Sequence, residues 1–248
     1  MTKIDGVELI KDGKRLDGRG FNELRKIKIT ASVLKNANGS AYIEWGDNKV
    51  LAAVYGPKEV MPKHLTDPSK AIIKCRYSMA PFSSLEEHGR SGPSRRAVEI
   101  SKVIKETFEN VIMLNEFPGS EIDIFMEVLQ GDGGTRAAAL TAASVALASA
   151  GIPMRDLVYA VSVGRIEEHV ALDFDMIEDN NSDADMPIAI APRNNDVLLL
   201  QMDGGLTRAD FSKALQMAID AGKTISELQK QALRDVYASA AEKYENGN

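Results

Sequence analysis

Residues 122–136 read Ile-Asp-Ile-Phe-Met-Glu-Val-Leu-Gln-Gly-Asp-Gly-Gly-Thr-Arg, and the reading of the whole chain starts from them. Ile122, Ile124, Met126 and Val128 alternate with Asp123, Phe125, Glu127 and Leu129, the period of a strand with two unlike faces. Gly131, Gly133 and Gly134 break that pattern. From Thr135 the residues are Ala, Leu, Thr, Ser and Val, with no turn former until Gly151 and Pro153 stop a helix. The order is strand, glycine turn, helix. It points backbone N–H groups and the positive end of a helix dipole at one place, which suits a phosphate or another anion. Arg136 in the first turn opposes that dipole, by ~0.3–1 kcal/mol if unscreened, so an anion between them would reconcile the two. On this stretch alone a second reading stands equally. It is a tight turn beside an Ala-rich helix packed on a sheet, with Arg136 in solvent.

The chain has 248 residues and is 44% hydrophobic, enough for a substantial core in one large domain or two packed halves. Its one cysteine, Cys75, excludes an internal disulfide and any Cys-based zinc site, and its apolar alternating run suggests a buried free thiol. No apolar run is long enough to cross a bilayer and the N-terminus has no signal-peptide core, so a cytoplasmic protein is expected. The net charge of −6 argues against non-specific coating of duplex nucleic acid, yet leaves room for a local basic channel.

Outward from the central stretch, residues 1–20, with Arg15-Leu16-Asp17-Gly18-Arg19, read as an extended arm and a turn, with a solvated terminus as the alternative. Strands are expected from Ile27, over Ser40–Trp45 and over Val50–Tyr55, the last a buried central strand closed by Gly56-Pro57. A basic loop with Lys58, Lys63 and His64 leads to a strand at about Ala71–Met79. Pro81–Gly92 reads as a mobile loop. Ser94 is an N-cap, and Ala97, Ile100, Ile104, Thr107, Phe108 and Val111 share one helical face, which puts Arg95 and Arg96 in another first turn against the dipole. Leu157–Ile166 and His169–Phe174 form a strand pair turning at Glu167-Glu168. Next come Asp173, Asp175, Glu178, Asp179, Asp183 and Asp185, crowded before a proline and a short strand, Ile188–Ala191. A further strand, Val197–Gln201, precedes two amphipathic helices, Thr207–Ala221 and Thr224–Tyr244. The order predicts an α+β chain of two sheet-plus-helix units, about 20–155 and about 156–244.

Three classes of function fit these parts. The first is a phosphate-using nuclease with an anion site at Gly134, Thr135 and Arg136, an RNA-backbone clamp at Arg95 and Arg96, and carboxylates at Asp179 and Asp185 for proton transfer and metal. The second is a hydrolytic exonuclease with two metal ions in the acidic segment, which gives the glycine turn and Arg136 no work. The third is a non-catalytic ring or scaffold subunit. A Walker-type site fails because no Lys follows the glycines in the required form.

Taken together, Arg15–Arg19, Pro93-Ser94-Arg95-Arg96, Asp132-Gly133-Gly134-Thr135-Arg136, Gly151–Asp156 and Asp179 through Pro187 resemble the RNase PH family, over about Asp5 to Tyr244. Within it they are most similar to the branch of archaeal exosome catalytic subunits. The resemblance implies a single RNase PH-like domain of two packed βαβα-like halves, similar to domain 2 of ribosomal protein S5. It implies 3′→5′ phosphorolysis of single-stranded RNA to nucleoside diphosphates, with inorganic phosphate as co-substrate and Mg²⁺ as cofactor. It also implies a hexameric ring shared with a related, inactive sister subunit, RNA-binding cap subunits and no membrane. Carried over by position, Gly134, Thr135 and Arg136 bind phosphate and Arg95 and Arg96 grip the RNA 3′ end. Asp179 is the general acid, Asp185 supports it or Mg²⁺, and Lys63 and His64 contact RNA. Crowding by Glu178, Asp183 and Asp185 is expected to raise the pKa of Asp179.

Overall fold

The computed structural model describes residues 9–11, 13–84 and 94–245. A two-stranded ribbon, β1 (Ile10–Lys11) with β2 (Lys14–Arg15), leads into β3 (Ile27–Ala31), β4 (Gly39–Trp45) and β5 (Asn48–Glu59), an antiparallel meander. β5 does not end at Gly56-Pro57. It continues to Glu59 through a register shift between Tyr55 and Lys58, and an irregularity is where a strand tolerates a residue without an N–H. After a 3-10 turn at Lys63–Leu65, the chain makes β6 (Ile72–Met79), helix α1 (Arg95–Glu109) and β7 (Ser120–Gln130). β6 and β7 are parallel neighbours joined through α1, and the first sheet is ordered β3-β4-β5-β7-β6. Of the stretch read as a mobile loop, residues 85–92 lie outside those described.

Helix α1 begins where the sequence places it. The Ser94 hydroxyl accepts from the Ala97 N–H at 3.1 Å, and Ile100, Ile104, Thr107 and Phe108 are buried. Burial of side chains such as Ile104 and Phe108 contributes roughly 1.5–3 kcal/mol each.

Helix α2 (Thr135–Ser149) is buried from Thr135 to Leu147 except at Arg136. It lies between the first sheet, against β4, β5 and β7, and the second sheet, against β8 (Tyr159–Ile166) and β10 (Ala184–Ala191). The fit is close. A Cβ on Gly39 would stand 2.2 Å from the Ala146 carbonyl oxygen, so the small residues of α2 and the glycine of β4 set the distance between helix and sheet.

The second half continues with β9 (His169–Leu172), a short helix α3 (Met176–Asn181), β10, β11 (Asp196–Leu200), β12 (Asp203–Gly204) and helix α4 (Arg208–Glu245). The sheet is ordered β11-β10-β8-β9, with β12 paired to β10. One continuous hydrophobic core spans both sheets, α1, α2 and α4. Among the described residues, no helix is long and apolar enough to cross a membrane. Cys75 is a free, half-buried thiol in β6, and burial pushes its pKa up to about 12.

Three expectations are corrected. The solvated reading fails at Arg15, which is 2% exposed although Lys14, Leu16, Asp17 and Gly18 beside it are exposed. Its guanidinium donates to Glu178 and to the carbonyls of Leu172 (2.6 Å) and Asp173 (2.9 Å). The strand after the acidic segment starts at Ala184, so Asp185 and Pro187 lie within β10. The two C-terminal helices are one. Gly222 does not break α4, because tertiary packing overrides its weak propensity cost.

A Cβ on Gly222 would lie 2.1 Å from the Tyr159 ring and hydroxyl. Gly222→Ala raises intrinsic helix propensity, yet it should destabilise the chain by about 1–3 kcal/mol through overpacking. Thermal unfolding checks this, and an unchanged or raised Tm would show that Tyr159 can yield.

Candidate active site

The turn between β7 and α2 is built from glycines because it must be. Gly133 and Gly134 both have positive φ (68° and 65°), and a Cβ on Gly133 would stand 2.5 Å from the Asp175 carbonyl carbon. The turn therefore rests on the start of α3, and the Met176 N–H reaches Asp132 Oδ1 at 3.3 Å. Thr135 is fixed by the Tyr77 hydroxyl, which donates to its Oγ1 at 2.9 Å.

A cleft of about 530 Å³ opens at this point. It brings together Arg96 from α1, Gly134, Thr135 and Arg136 from the turn and α2, Asp179 from α3 and Asp185 from β10. Arg136 donates to Gln201 Oε1 and to Glu99 Oε2 (3.3 Å), while Gln201 Nε2 donates to Glu99 Oε1 at 2.8 Å. Burial lowers the Arg136 pKa and the neighbouring Arg96 charge lowers it further, with Glu99 opposing. Two cations held together at a helix start, one of them partly desolvated, form a place where a bound anion is stabilised.

The carboxylates divide by role. Asp173 pairs with Arg25 at 2.7 Å, Asp175 caps α3 in a capping box with Glu178, and Glu178 is fully buried against Arg15. These three hold structure. Asp179 and Asp185 face the cleft. The Asp179 pKa is raised by burial, against the pull of Arg96, Arg136 and Arg25, and Asp203 adds to the rise. The expected direction holds, but its cause differs from the crowding inferred from the sequence. Glu178 is turned away into its own ion pair, and burial dominates. Asp185 is pushed up to about 7, first by burial and then by Asp179. Its Oδ1 is buried without a hydrogen-bond partner. The strand pairing that holds Asp185 is also tight: it lies opposite Gly164 of β8, where a Cβ would stand 2.0 Å from the Ala184 carbonyl oxygen.

Arg95, one residue before Arg96, is exposed and does not line the cleft. Lys63 and His64 lie in the exposed 3-10 turn beyond Glu59, which pairs with Ser120 at the start of β7. The glycine turn follows the other end of β7, roughly 30 Å away at the rise of a strand, so the structure does not bring this pair into the cleft. The sequence reading missed Glu99, Gln201, Asp203 and Ser162, which line it too. Glu99 carried a readable signal, one helical turn from Arg96. Gln201 and Asp203 sit at the end of β11 and in β12, and only the pairing of β12 with β10 reveals them.

The ordinary carboxylate pKa is about 3.9. With Asp185 raised to about 7, the stability that its protonation contributes is full below the ordinary range and is lost as pH rises through the folded value. Asp185→Asn should therefore flatten the fall in Tm over that window. An infrared protonated-carboxyl band titrating near pH 7 should vanish in the variant. Identical bands in both proteins would assign the proton elsewhere.

With this geometry in view, the chain matches the family model described as 3′ exoribonuclease family, domain 1, over residues 23–153, and domain 2 of that family over residues 156–221. It is 54% identical to the exosome complex component Rrp41 of Pyrococcus furiosus over 246 residues, covering 99% of this chain and 98% of the relative. It is 53% identical to Rrp41 of Thermoplasma volcanium over 237 residues, 95% of each. Among solved structures it is similar to rice (Oryza sativa) Rrp46, with a TM-score of 0.79 and 27% identity over 89% of this chain and all of the other. It also resembles a chain of the Archaeoglobus fulgidus exosome with RNA bound to the active site. That TM-score is 0.77, over 87% of this chain and 92% of the other, and at 24% identity this likeness speaks for the fold alone.

Proposed function

This chain belongs to the RNase PH family of 3′ exoribonucleases, and on that premise we propose that it is a phosphorolytic subunit of an exosome, shortening single-stranded RNA from its 3′ end. The observation that carries this is the convergence of Arg96 and Arg136 on the glycine-flanked start of α2, beside two carboxylates whose pKa values are raised.

Inorganic phosphate binds at the N–H groups of Gly134, Thr135 and Arg136 and at the Arg136 guanidinium, which exchanges its contacts with Glu99 and Gln201 for the anion. Arg96 holds the terminal phosphodiester of the RNA. The two anions are thereby held in reach of each other, which is most of what phosphoryl transfer needs from a protein. A phosphate oxygen attacks the phosphorus in line, the bond to the 3′-oxygen of the penultimate nucleotide breaks, and a nucleoside diphosphate leaves. The 3′-oxygen takes a proton from the Asp179–Asp185 pair, which retains one near neutrality because of burial.

Mg²⁺ is compatible with the donor set. Asp179 and Asp185 would hold it in their ionised form, in place of the proton the pair otherwise carries, and the unpartnered Oδ1 of Asp185 is an oxygen that a cation would satisfy. Among the described residues no three His, Cys, Asp or Glu side chains are grouped to hold a metal by themselves. Water and substrate phosphate would complete the shell, as is usual for Mg²⁺. When bound, the ion supplies positive charge for the phosphoryl oxygens.

Similarity to exosome components supports a ring of related subunits. In this reading the ring is a cytoplasmic hexamer, the alternating sister subunit is inactive, cap subunits deliver RNA, and Lys63 and His64 contact the strand several nucleotides before the cleft.

Two measurements on the assembled complex test the reading. Degradation of labelled single-stranded RNA should require inorganic phosphate and release nucleoside diphosphates; monophosphates formed equally well without phosphate would replace phosphorolysis with hydrolysis. Grip and chemistry should also separate. Arg96→Glu should lose RNA affinity, and more of it than Arg95→Glu, because only Arg96 lines the cleft. Asp179→Ala should bind RNA at least as well as the parent while kcat falls ~10²–10⁴-fold. Loss of RNA binding in Asp179→Ala, restored by added Mg²⁺, would make Asp179 a metal ligand instead.

A further inference from the structure

Behind the glycine turn lies a buried network whose one link to the chemistry above is the charge of Arg25 acting on Asp179. Arg25 is 8% exposed and Asn48 fully buried. The Arg25 guanidinium donates to the Asp132 carbonyl and, at 3.3 Å, to the Gly133 carbonyl. Asn48 makes a two-point contact: its Nδ2 donates to the Gly133 carbonyl at 2.6 Å, and its Oδ1 accepts from the Asp132 N–H at 2.6 Å. Arg25 is itself held by Asp173, which accepts from Arg25 Nη2 (2.7 Å), the Arg25 N–H (2.7 Å) and Trp45 Nε1 (2.8 Å). None of these four residues lines the cleft.

In a trans peptide the C=O and the following N–H point in opposite directions. With the Asp132 and Gly133 carbonyls drawn toward Arg25 and Asn48, the N–H groups of Gly133 and Gly134 are turned away from them. We propose that Arg25 and Asn48 are positioning residues for the anion: by holding those two carbonyls they aim the Gly134 N–H at the site and keep the turn's carbonyl oxygens away from phosphate. A cation on the carbonyl side also polarises each peptide, which strengthens its N–H as a donor. Asp173 and Trp45 set the clamp. Without it, a turn of two glycines in the left-handed region is free to flip a peptide and present an oxygen to the anion. The inference rests on the reading of this turn as the phosphate site.

The test uses the assembled complex, with inorganic phosphate and labelled RNA as probes. Asn48→Ser removes the two-point contact. The KM for phosphate should rise roughly tenfold, the equivalent of about one lost hydrogen bond, while kcat at saturating phosphate stays within about threefold and RNA affinity measured without phosphate is unchanged. Asn48→Asp should raise KM further, since a carboxylate then faces the Gly133 carbonyl. If kcat, RNA affinity and Tm fall together with no selective rise in KM, the network is only scaffold and the proposal fails. Should the Asn48 variants not assemble, Trp45→Phe keeps the ring and removes one donor to Asp173. It should give a smaller rise in the same KM, and an unchanged KM there overturns the proposal. A parent complex that needs no phosphate refutes the underlying reading instead, and does so before any variant is compared.

Discussion

The structure depends on one constraint: α2 is enclosed between two sheets. A helix in that position cannot show the usual contrast of apolar and polar faces, and α2 is buried from Thr135 to Leu147 except at Arg136. Its alanines let both sheets approach, and Gly39 lets β4 approach to the point where a methyl group would overlap the helix backbone. The same enclosure gives the N-terminus its chemistry. The first N–H groups of α2 have no partner within the helix, and their partial positive charge stands in partly desolvated surroundings where solvent screens it little. Placing Arg96 and Arg136 there is unfavourable in the absence of an anion. In the free protein Glu99 and Gln201 hold Arg136.

Much of this was legible from local signals. The strand period of Ile122–Leu129, the glycine turn, Ser94 as an N-cap and the apolar face of α1 are each decided by neighbours within a few residues, and the structure follows them. What failed was decided at long range. Arg15 looked solvated because nothing near it in sequence explains a buried charge; its partner, Glu178, is 163 positions away. Gly222 looked like a break because the Tyr159 ring that requires it belongs to another element. The start of β10 was placed late because Pro187 reads as a stop, whereas β10 carries it within its pairing to β8.

The acidic segment shows the same limit in chemical form. Six carboxylates in thirteen residues, Asp173–Asp185, read as one crowded cluster whose mutual repulsion raises pKa values. Folding instead draws four of the six apart, Asp183 among them opposite Arg165 at 3.8 Å. Arg25 takes Asp173, the capping box takes Asp175 and Arg15 takes Glu178, which leaves a helix to present Asp179 and a strand to present Asp185. The distinction between crowding and burial has consequences. A pKa raised by crowding falls once one neighbour is paired, whereas one raised by burial persists for as long as water is kept out.

Substrate loading then acts on a pair already biased toward holding a proton. In the proposed reaction RNA and phosphate would each bring negative charge into the cleft, favouring the protonated carboxyl further, while Arg96 and Arg136, the cations that pull the two pKa values down, would be occupied by the incoming anions. Both changes push in one direction. The proton would therefore be held most firmly with both substrates bound, and would be drawn off only as the departing 3′-oxygen becomes more basic than the carboxylate that carries it. On the proposed mechanism, grip and acid catalysis would be linked through the same two arginines: satisfying them with substrate would prepare the acid.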